Sequence, residues 1–208
     1  TSYQGKQCAL PMLADTYGLY YNKALFKKAG ITEPPKTMSE LAADAKKLTQ
    51  RNPDGTLKVV GYDPAQGFYE NAPAHYGPLF GANWVDGGNK SAISKQPGWV
   101  EFMNWQKGLI DFYGFDKLRR WQAGAGDEFS AQNAFERGKI AMMIDGEYRT
   151  AFIENEHPEL NYGTAPMVVD DDQSDLYGGG YVTGSIIGIP KGAKNPAAAW
   201  ELVKYLAY

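Results

Sequence analysis

The sequence predicts an α/β fold, and three observations support this prediction. Short apolar segments of strand length, such as residues 59–62 and 140–144, alternate with segments that have the apolar period of helices. Turn signals rich in Gly, Pro, Asn and Asp separate these segments. The 208 residues are 43% hydrophobic and 22% charged, a composition with which a chain can bury a substantial core.

Two local signals define the first helices. Gly30 suits the left-handed position that follows a helix, so a helix over residues 23–29 is predicted to end there. Thr37 and Glu40 have the spacing of a capping box, in which each side chain accepts a hydrogen bond from the other residue's backbone N–H. The capping box predicts a second helix over residues 39–51.

The other elements follow from apolar periodicity and turn residues. Further helices are predicted over residues 98–112, 131–137 and 147–155, in part of 68–79, and from Pro196 onward with Ala199, Val203 and Leu206 facing inward. Strands are predicted over residues 19–21, 59–62, 140–144, 162–166 and 182–189, with loops over 52–55, 81–89 and 170–180.

Composition argues against several functional classes. A net charge of −3 and a pI near 5.5, with no Lys/Arg cluster, exclude a nucleic-acid partner, because such binding needs a basic face. No run approaches the roughly 18 apolar residues of a membrane-spanning helix.

The single cysteine, Cys8, is expected to be a small buried residue. Because His75 and His157 are the only histidines, the sequence predicts neither a metal site nor a cofactor.

Three ordered segments carry a family resemblance. Residues 20–49 contain a strand, a short helix, a proline-set turn and a capped helix. Residues 134–148 contain a Gly-Lys turn, an apolar strand and Gly146 with an aromatic residue two positions later. Residues 178–206 contain a glycine run, an Ile-Pro-Lys strand end and an Asn-Pro helix start. Together these segments resemble the bacterial solute-binding proteins of ABC importers, in the sugar-binding family that includes maltose-binding protein.

The resemblance implies a periplasmic-binding-protein-like type II fold of two lobes joined by a hinge, with mostly the second lobe present. Residues 1–19 would form a hinge strand and a first-lobe segment, residues 20–180 the second lobe, and residues 181–208 a return crossing into the first lobe. The N-terminal lobe and the C-terminal end of such proteins are expected to be missing from the chain.

The resemblance also implies a function without catalysis. A monomer would capture a sugar or oligosaccharide in the cleft between the lobes, and hinge closure would follow. It would then deliver the ligand to the transmembrane subunits of an ABC permease. The expected location is outside the cytoplasmic membrane, either periplasmic or lipid-anchored at the cell surface.

Eight residues are candidates for ligand binding. Tyr148 lies two residues after Gly146 at a predicted strand end, where the family usually has a Trp stacked on a sugar ring. Asp15 matches the position of a hinge-side acidic residue that binds sugar hydroxyls in the family. The other candidates are polar or aromatic residues near the expected cleft and glycines whose backbone N–H groups would be open to ligand: Tyr17, Tyr69, Glu70, Trp84, Gly179 and Gly180.

Alternatives remain open at this stage. A glycoside hydrolase could use Asp145 and Glu147 as acid and base, although residues two apart around a turn seldom face each other across a sugar. The same fold could bind a non-sugar solute or serve as a ligand sensor. The acidic loop residues could bind Ca²⁺, but their spacing lacks the glycine and distal Glu of an EF-hand, which favours a solvated loop: Asp170, Asp171, Asp172 and Asp175.

Overall fold

The computed structural model describes residues 1–65, 73–87, 90–180 and 182–207. The chain divides into two compact units, a smaller one of Thr1–Thr16 with Tyr181–Tyr208 and a larger one of Tyr17–Gly180. The long strand β3, Leu10–Asn22, contributes its first half to the smaller unit and its second half to the larger one. The predicted boundaries after residues 19 and 180 concern lobes of a longer protein and stay a prediction.

A β-sheet forms the centre of the larger unit. Its strands there are ordered β4-β5-β6-β3-β7, where β4 is Gln50–Arg51, β5 is Leu57–Tyr62, β6 is Ile140–Gly146 and β7 is Tyr162–Ala165. β5 and β6 are parallel, and the other neighbours are antiparallel. Every residue of β6 is buried, because its apolar run lies at the middle of the sheet with both faces covered.

Six α-helices of the larger unit lie within the described residues: α1 Lys23–Ala29, α2 Met38–Leu48, α3 Pro73–Tyr76, α4 Gly98–Tyr113, α5 Phe115–Gln122 and α6 Arg149–Glu156. The predicted end of α1 is confirmed, since Gly30 has a φ of 66°. The capping box of α2 is also confirmed, with Glu40 N donating to the Thr37 hydroxyl at 3.3 Å. α2 ends earlier than predicted, because the residues after it pair as β4.

Helix α2 packs closely against strand β5 at Gly61. A Cβ at this position would lie only 1.9 Å from the carbonyl oxygen of Ala45, so a larger residue would push the helix away. The Thr49 hydroxyl joins the two elements by donating to Ala45 O at 2.7 Å and accepting from Gly61 N at 3.2 Å. This contact holds one helix layer directly on the sheet.

One helix prediction in the larger unit was wrong, and one helix was missed. Residues 131–137 form turns instead of a helix, because the Asn133 side chain accepts from Phe135 N at 2.9 Å and replaces a helical bond. The sequence reasoning also missed α5, which follows α4 immediately. Gly114, with a φ of 83°, ends one helix and begins the next, so the break between them is a single residue.

The smaller unit contains a short hairpin, a strand pair and a helix. The hairpin joins β1, Ser2–Tyr3, to β2, Lys6–Gln7, while β8, Val182–Ile187, pairs antiparallel with the first half of β3. Helix α7 covers Pro196–Ala207.

Burial in the smaller unit differs from expectation. Val203 of α7 is buried as predicted, but Leu206, which was also predicted to face inward, is 44% exposed, and Trp200 of the same helix is 43% exposed. Cys8 is exposed too, which contradicts the expected buried cysteine. Among the described residues of the smaller unit, four strands and one helix do not cover all the apolar side chains. In the part of the chain that the structure describes, no helix combines the length and apolar character needed to span a membrane.

Candidate functional site

Tyr148 lies just beyond the carboxyl end of β6, as the sequence predicted. A Cβ at Gly146 would come within 2.2 Å of the Tyr148 ring, so the ring folds back over the strand end and only glycine leaves room for it. The φ of Gly146 is not in the left-handed region, so space for the ring, not a sharp turn, explains this glycine. The ring of Tyr148 is half-buried.

Two residues that the sequence reasoning missed complete an aromatic surface around Tyr148. The Tyr148 hydroxyl donates to Glu128 Oε1 at 3.2 Å, and the Phe129 ring packs against the Tyr148 ring with 5.6 Å between centroids. Phe129 is 57% exposed. We call Glu128, Phe129 and Tyr148 the Tyr148 wall. An acidic residue followed by an aromatic one in a polar segment was the available signal, but nothing in the sequence linked the pair to Tyr148.

A buried arginine lies beneath this wall. Arg149 is fully buried and donates through Nε to Asp145 Oδ2 at 2.6 Å and through Nη1 to Glu136 Oε1 at 2.8 Å. Its third nitrogen, Nη2, donates to the backbone carbonyl of Glu128 at 2.6 Å. The guanidinium also lies over the Phe152 ring, 5.2 Å from its centroid. One side chain thus joins β6, the turns before it and the wall.

The two buried carboxylates of Asp145 and Glu136 keep the Arg149 guanidinium charged. Burial by itself would lower the pKa of Arg149, but the Asp145 and Glu136 carboxylates more than offset this effect and raise that pKa, so the guanidinium stays charged. Burial raises the pKa of Asp145, and the neighbouring Arg149 charge opposes that rise without cancelling it. Asp145 is therefore occupied by its ion pair and closed off from solvent.

The hydrolase alternative requires two carboxylates that face a substrate. Asp145 is 0% exposed, whereas Glu147 is exposed. Because a buried and ion-paired carboxylate cannot reach a sugar, this pair does not have the geometry of an acid and a base across a glycosidic bond.

Tyr17 and the two candidate glycines lie near the same strand end. Tyr17 of β3 pairs with Gly146 of β6, and it is only 5% exposed, so little of its ring is open to a ligand. A Cβ at Gly180 would lie 3.5 Å from the Tyr17 carbonyl oxygen. The Gly179 N–H donates to Leu176 O at 2.9 Å, so it is not the open donor that the sequence reasoning expected.

Trp84 forms a separate aromatic platform. It is 42% exposed, and its ring rests on the buried Trp99 with 4.3 Å between centroids and an interplanar angle of 53°. Trp99 is itself held by its Nε1, which donates to Asn83 O at 3.4 Å. Trp99, only 5% exposed, is a core residue that supports the platform from below.

The remaining candidates lie elsewhere. Asp15 belongs to the smaller unit, where it pairs opposite Thr183 in the β3–β8 ladder and accepts from the Thr183 hydroxyl at 3.5 Å. Tyr69 and Glu70 lie outside the described residues. Their binding roles stay predictions.

The acidic loop contributes to capping a helix. Asp171 accepts from the Thr37 hydroxyl at 3.0 Å and from Ser39 N at 3.2 Å, which adds a distant carboxylate to the amino end of α2. Burial alone would raise the pKa of Asp171, but the hydrogen bonds from Ser39 and Thr37 outweigh it and lower that pKa. Within the described ranges, no group of three or more His, Cys, Asp or Glu side chains is placed to hold a metal ion.

An α/β sheet whose central strand ends at an aromatic and carboxylate surface is typical of proteins that bind small solutes. The profile of bacterial extracellular solute-binding proteins matches residues 1–207, and the chain belongs to this family.

Individual relatives agree with this assignment. A binding protein of Brucella abortus strain 2308 is 31% identical over 205 residues, which are 97% of this chain and 47% of the relative. The maltooligosaccharide ABC transporter solute-binding lipoprotein of Streptococcus pneumoniae strain R6 is 28% identical over 225 residues, with 99% of this chain and 46% of the relative covered. The chain thus spans about half the length of the curated relatives it matches.

Solved structures confirm the predicted fold class. The chain superposes on CpMnBP1 with mannobiose bound at a TM-score of 0.84 and 31% identity, over 98% of this chain and 51% of that one. Maltose-bound MalE3 of T. maritima gives a TM-score of 0.73 at 24% identity, over 99% of this chain and 51% of that one, and this likeness concerns the fold alone. The α/β fold of the periplasmic-binding-protein type, present over about half of its length, is thereby confirmed.

Proposed function

We propose that the protein is the substrate-binding component of an ABC importer and that its ligand is a sugar or oligosaccharide. The observation that carries this proposal is the Tyr148 wall at the end of β6, with two accessible rings beside a carboxylate. The mannobiose bound to CpMnBP1 and the maltooligosaccharide named for the pneumococcal relative support the same ligand class.

The wall matches the chemistry of a pyranose. The C–H face of a sugar ring packs on aromatic side chains, and its hydroxyl groups need hydrogen-bond partners when they leave water. Tyr148 and Phe129 supply the rings, while Glu128 supplies a half-buried carboxylate. The proposed set of ligand contacts is completed by Trp84, Asp15, Tyr17, Tyr69, Glu70, Gly179 and Gly180. Because the Gly179 N–H is occupied, Gly179 would contact the ligand through its other backbone atoms.

The transport mechanism is part of the proposal. Residues 20–180 would act as the second lobe of a longer protein, with residues 1–19 and 181–208 at the hinge and in the first lobe. Ligand bound in the cleft between the lobes would favour the closed state by its differential contacts, and that state would dock on the permease. The protein would work as a monomer outside the cytoplasmic membrane, without catalysis, and the burial of Asp145 supports that last point.

A ligand screen tests the proposal. Mannobiose, mannotriose, maltose, maltotriose and the monosaccharides would be titrated into the protein and followed by melting temperature and by ligand-observed NMR. At least one saccharide should raise the melting temperature, and Tyr148→Ala should abolish the response because the stacking ring is removed. Phe115→Ala, which removes a 64% exposed ring on α5, is the control and should bind as the unaltered protein does. Saturating binding of a non-sugar solute with none of any saccharide would refute the assignment.

A further inference from the structure

Arg149 differs from an ordinary surface arginine of a helix. All three of its guanidinium nitrogens donate hydrogen bonds, and each bond goes to a different segment of the larger unit. Residues at the first turn of a helix after a glycine are usually solvated, whereas this side chain is 0% exposed. A side chain that joins three segments determines their relative positions, because a planar guanidinium fixes the directions of its N–H groups.

The contact to the backbone of Glu128 is the functionally informative one. Glu128 and Phe129 are adjacent in the chain, and they present the carboxylate and the exposed ring of the Tyr148 wall. Their segment lies among turns, where the helices and strands of the fold supply no regular backbone ladder. The Glu128 carbonyl accepts from Arg149 Nη2 at 2.6 Å and from Asn133 Nδ2 at 3.1 Å, and the shorter bond, to the charged guanidinium, is the stronger restraint on the backbone from which both groups project.

The Phe152 ring connects the same arginine to Phe129. The guanidinium lies 5.2 Å from the Phe152 centroid, and the Phe152 ring packs against Phe129 with 5.9 Å between centroids. Arg149 thus reaches the wall by two routes, through the backbone of Glu128 and through the Phe152 ring that packs on Phe129. The buried Glu136 carboxylate also depends on Arg149. Its Oε1 accepts from Arg149 Nη1, while its Oε2 is buried with no hydrogen-bond partner among the described residues.

We infer that Arg149 is a positioning residue for saccharide binding: it holds Glu128 and Phe129 in the arrangement that accepts a sugar ring before the ligand arrives. This inference rests on the proposed function and assigns a role to a residue that does not itself touch the ligand. A wall held in its bound arrangement binds more tightly, because no ordering of the loop is needed when the ligand docks.

The test compares two arginines of the same chain. Arg149→Lys keeps the positive charge but lacks the planar fork that reaches three partners. The matched control is Arg51→Lys, because Arg51 also donates to a backbone carbonyl, Phe112 O at 2.9 Å, and also lies over an aromatic ring, that of Phe112 at 5.6 Å. Both variants and the unaltered 208-residue chain would be titrated with mannobiose and maltotriose by NMR, at a temperature where circular dichroism shows each to be folded.

Arg149→Lys is expected to weaken saccharide binding by about tenfold or more, and Arg51→Lys by less than about twofold. Amide hydrogen exchange supplies a second readout, because loss of the Glu128 contact should speed exchange selectively in residues 126–131. If Arg149 served stability alone, exchange would rise throughout the larger unit and the folded protein would bind with unchanged affinity. That result would overturn the inference.

Two further arms keep the result unambiguous. Should Arg149→Lys fail to fold, Phe152→Leu tests the second route, since leucine stays apolar but removes the ring between Arg149 and Phe129; an affinity loss of about threefold supports the inference, and no loss overturns it. If the unaltered chain and Arg51→Lys bind none of the saccharides at millimolar concentration, the Tyr148 wall is not a saccharide site in this chain, and the proposed ligand contacts fail together with the inference. Binding by the unaltered chain with equal binding by Arg149→Lys defeats the inference alone.

Discussion

The larger unit carries two aromatic platforms that are built in different ways. Tyr148 is fixed from several sides, by the space left at Gly146, by its hydrogen bond to Glu128 and by the Phe129 ring. Trp84 rests on a loop, where its ring contacts the buried Trp99. The comparison teaches that the same stacking chemistry can be held from several sides above a buried ionic cluster or be placed on a surface loop with one ring beneath it. The platform whose groups are held in place before binding loses less entropy when the ligand docks.

The largest expected effect comes from removing the space for Tyr148. Gly146→Ala should lower the free energy of unfolding by about 2 kcal/mol, because a Cβ there would meet the ring at 2.2 Å and force it outward. Urea denaturation measures this change, and the same variant should lose saccharide binding.

The control for this substitution lies in the Trp84 loop. A Cβ at Gly87 would meet nothing within 4 Å, so Gly87→Ala should leave the unfolding free energy nearly unchanged. Equal destabilisation by the two alanines would mean that backbone freedom, not the Tyr148 ring, explains the glycine at the strand end.

A smaller effect is expected from removing the ring of the Trp84 platform. Trp84→Ala should weaken saccharide binding by about threefold, less than Tyr148→Ala. A half-exposed ring on a loop loses conformational entropy when the ligand orders it, and this loss offsets part of the stacking energy. NMR titration with the same saccharides measures both variants. A loss for Trp84→Ala as large as that for Tyr148→Ala would show that the loop platform is the main contact and would reverse the ranking of the two.

The smallest effect concerns the surface pair of His157 and Glu159, which belongs neither to the Tyr148 wall nor to the Trp84 platform. The Glu159 carboxylate, 3.2 Å from His157 Nδ1, raises the pKa of His157 above 6.5 through their hydrogen bond, with the nearby Ala131 carbonyl adding to the rise. A raised folded-state pKa stabilises the fold below the unfolded value of 6.5, and this contribution disappears as pH rises through the folded value. The effect should be slight, since Glu159 is 75% exposed.

An NMR titration of the imidazole checks this expectation. Glu159→Gln should return the midpoint of His157 towards its ordinary value, while saccharide binding should not respond. A change in affinity with the titration of His157 would indicate that the surface pair is coupled to the Tyr148 wall through the contact of His157 Nε2 with the Ala131 carbonyl oxygen, 3.3 Å away.

Features encoded within a few residues were predictable from the sequence. The end of α1 at Gly30 and the capping box of α2 depend on side chains that bond their own neighbourhood, so spacing alone identified them. The turns at 131–137 were misread for a related reason, because a single side-chain bond from Asn133 outweighed the helical period.

The site was only partly predictable, because its parts meet through tertiary structure. Tyr148 could be proposed from its position after a strand and a glycine. Glu128 and Phe129 could not, because their link to Tyr148 passes through hydrogen bonds and ring contacts across 20 residues of chain. Arg149 was missed as well, since a charged residue at the start of a helix normally faces water and its burial depends on carboxylates from two other segments.

The position of β3 has a consequence for how the protein folds. Its second half pairs with β6 and β7 and its first half with β8, so β3 depends on partners that follow it by more than 100 residues. Contacts between residues so distant in sequence slow folding, because long loops must close before the strands can pair. Until then, the backbone groups of β3 stay unpaired, and a folding intermediate with such an open strand is prone to aggregate.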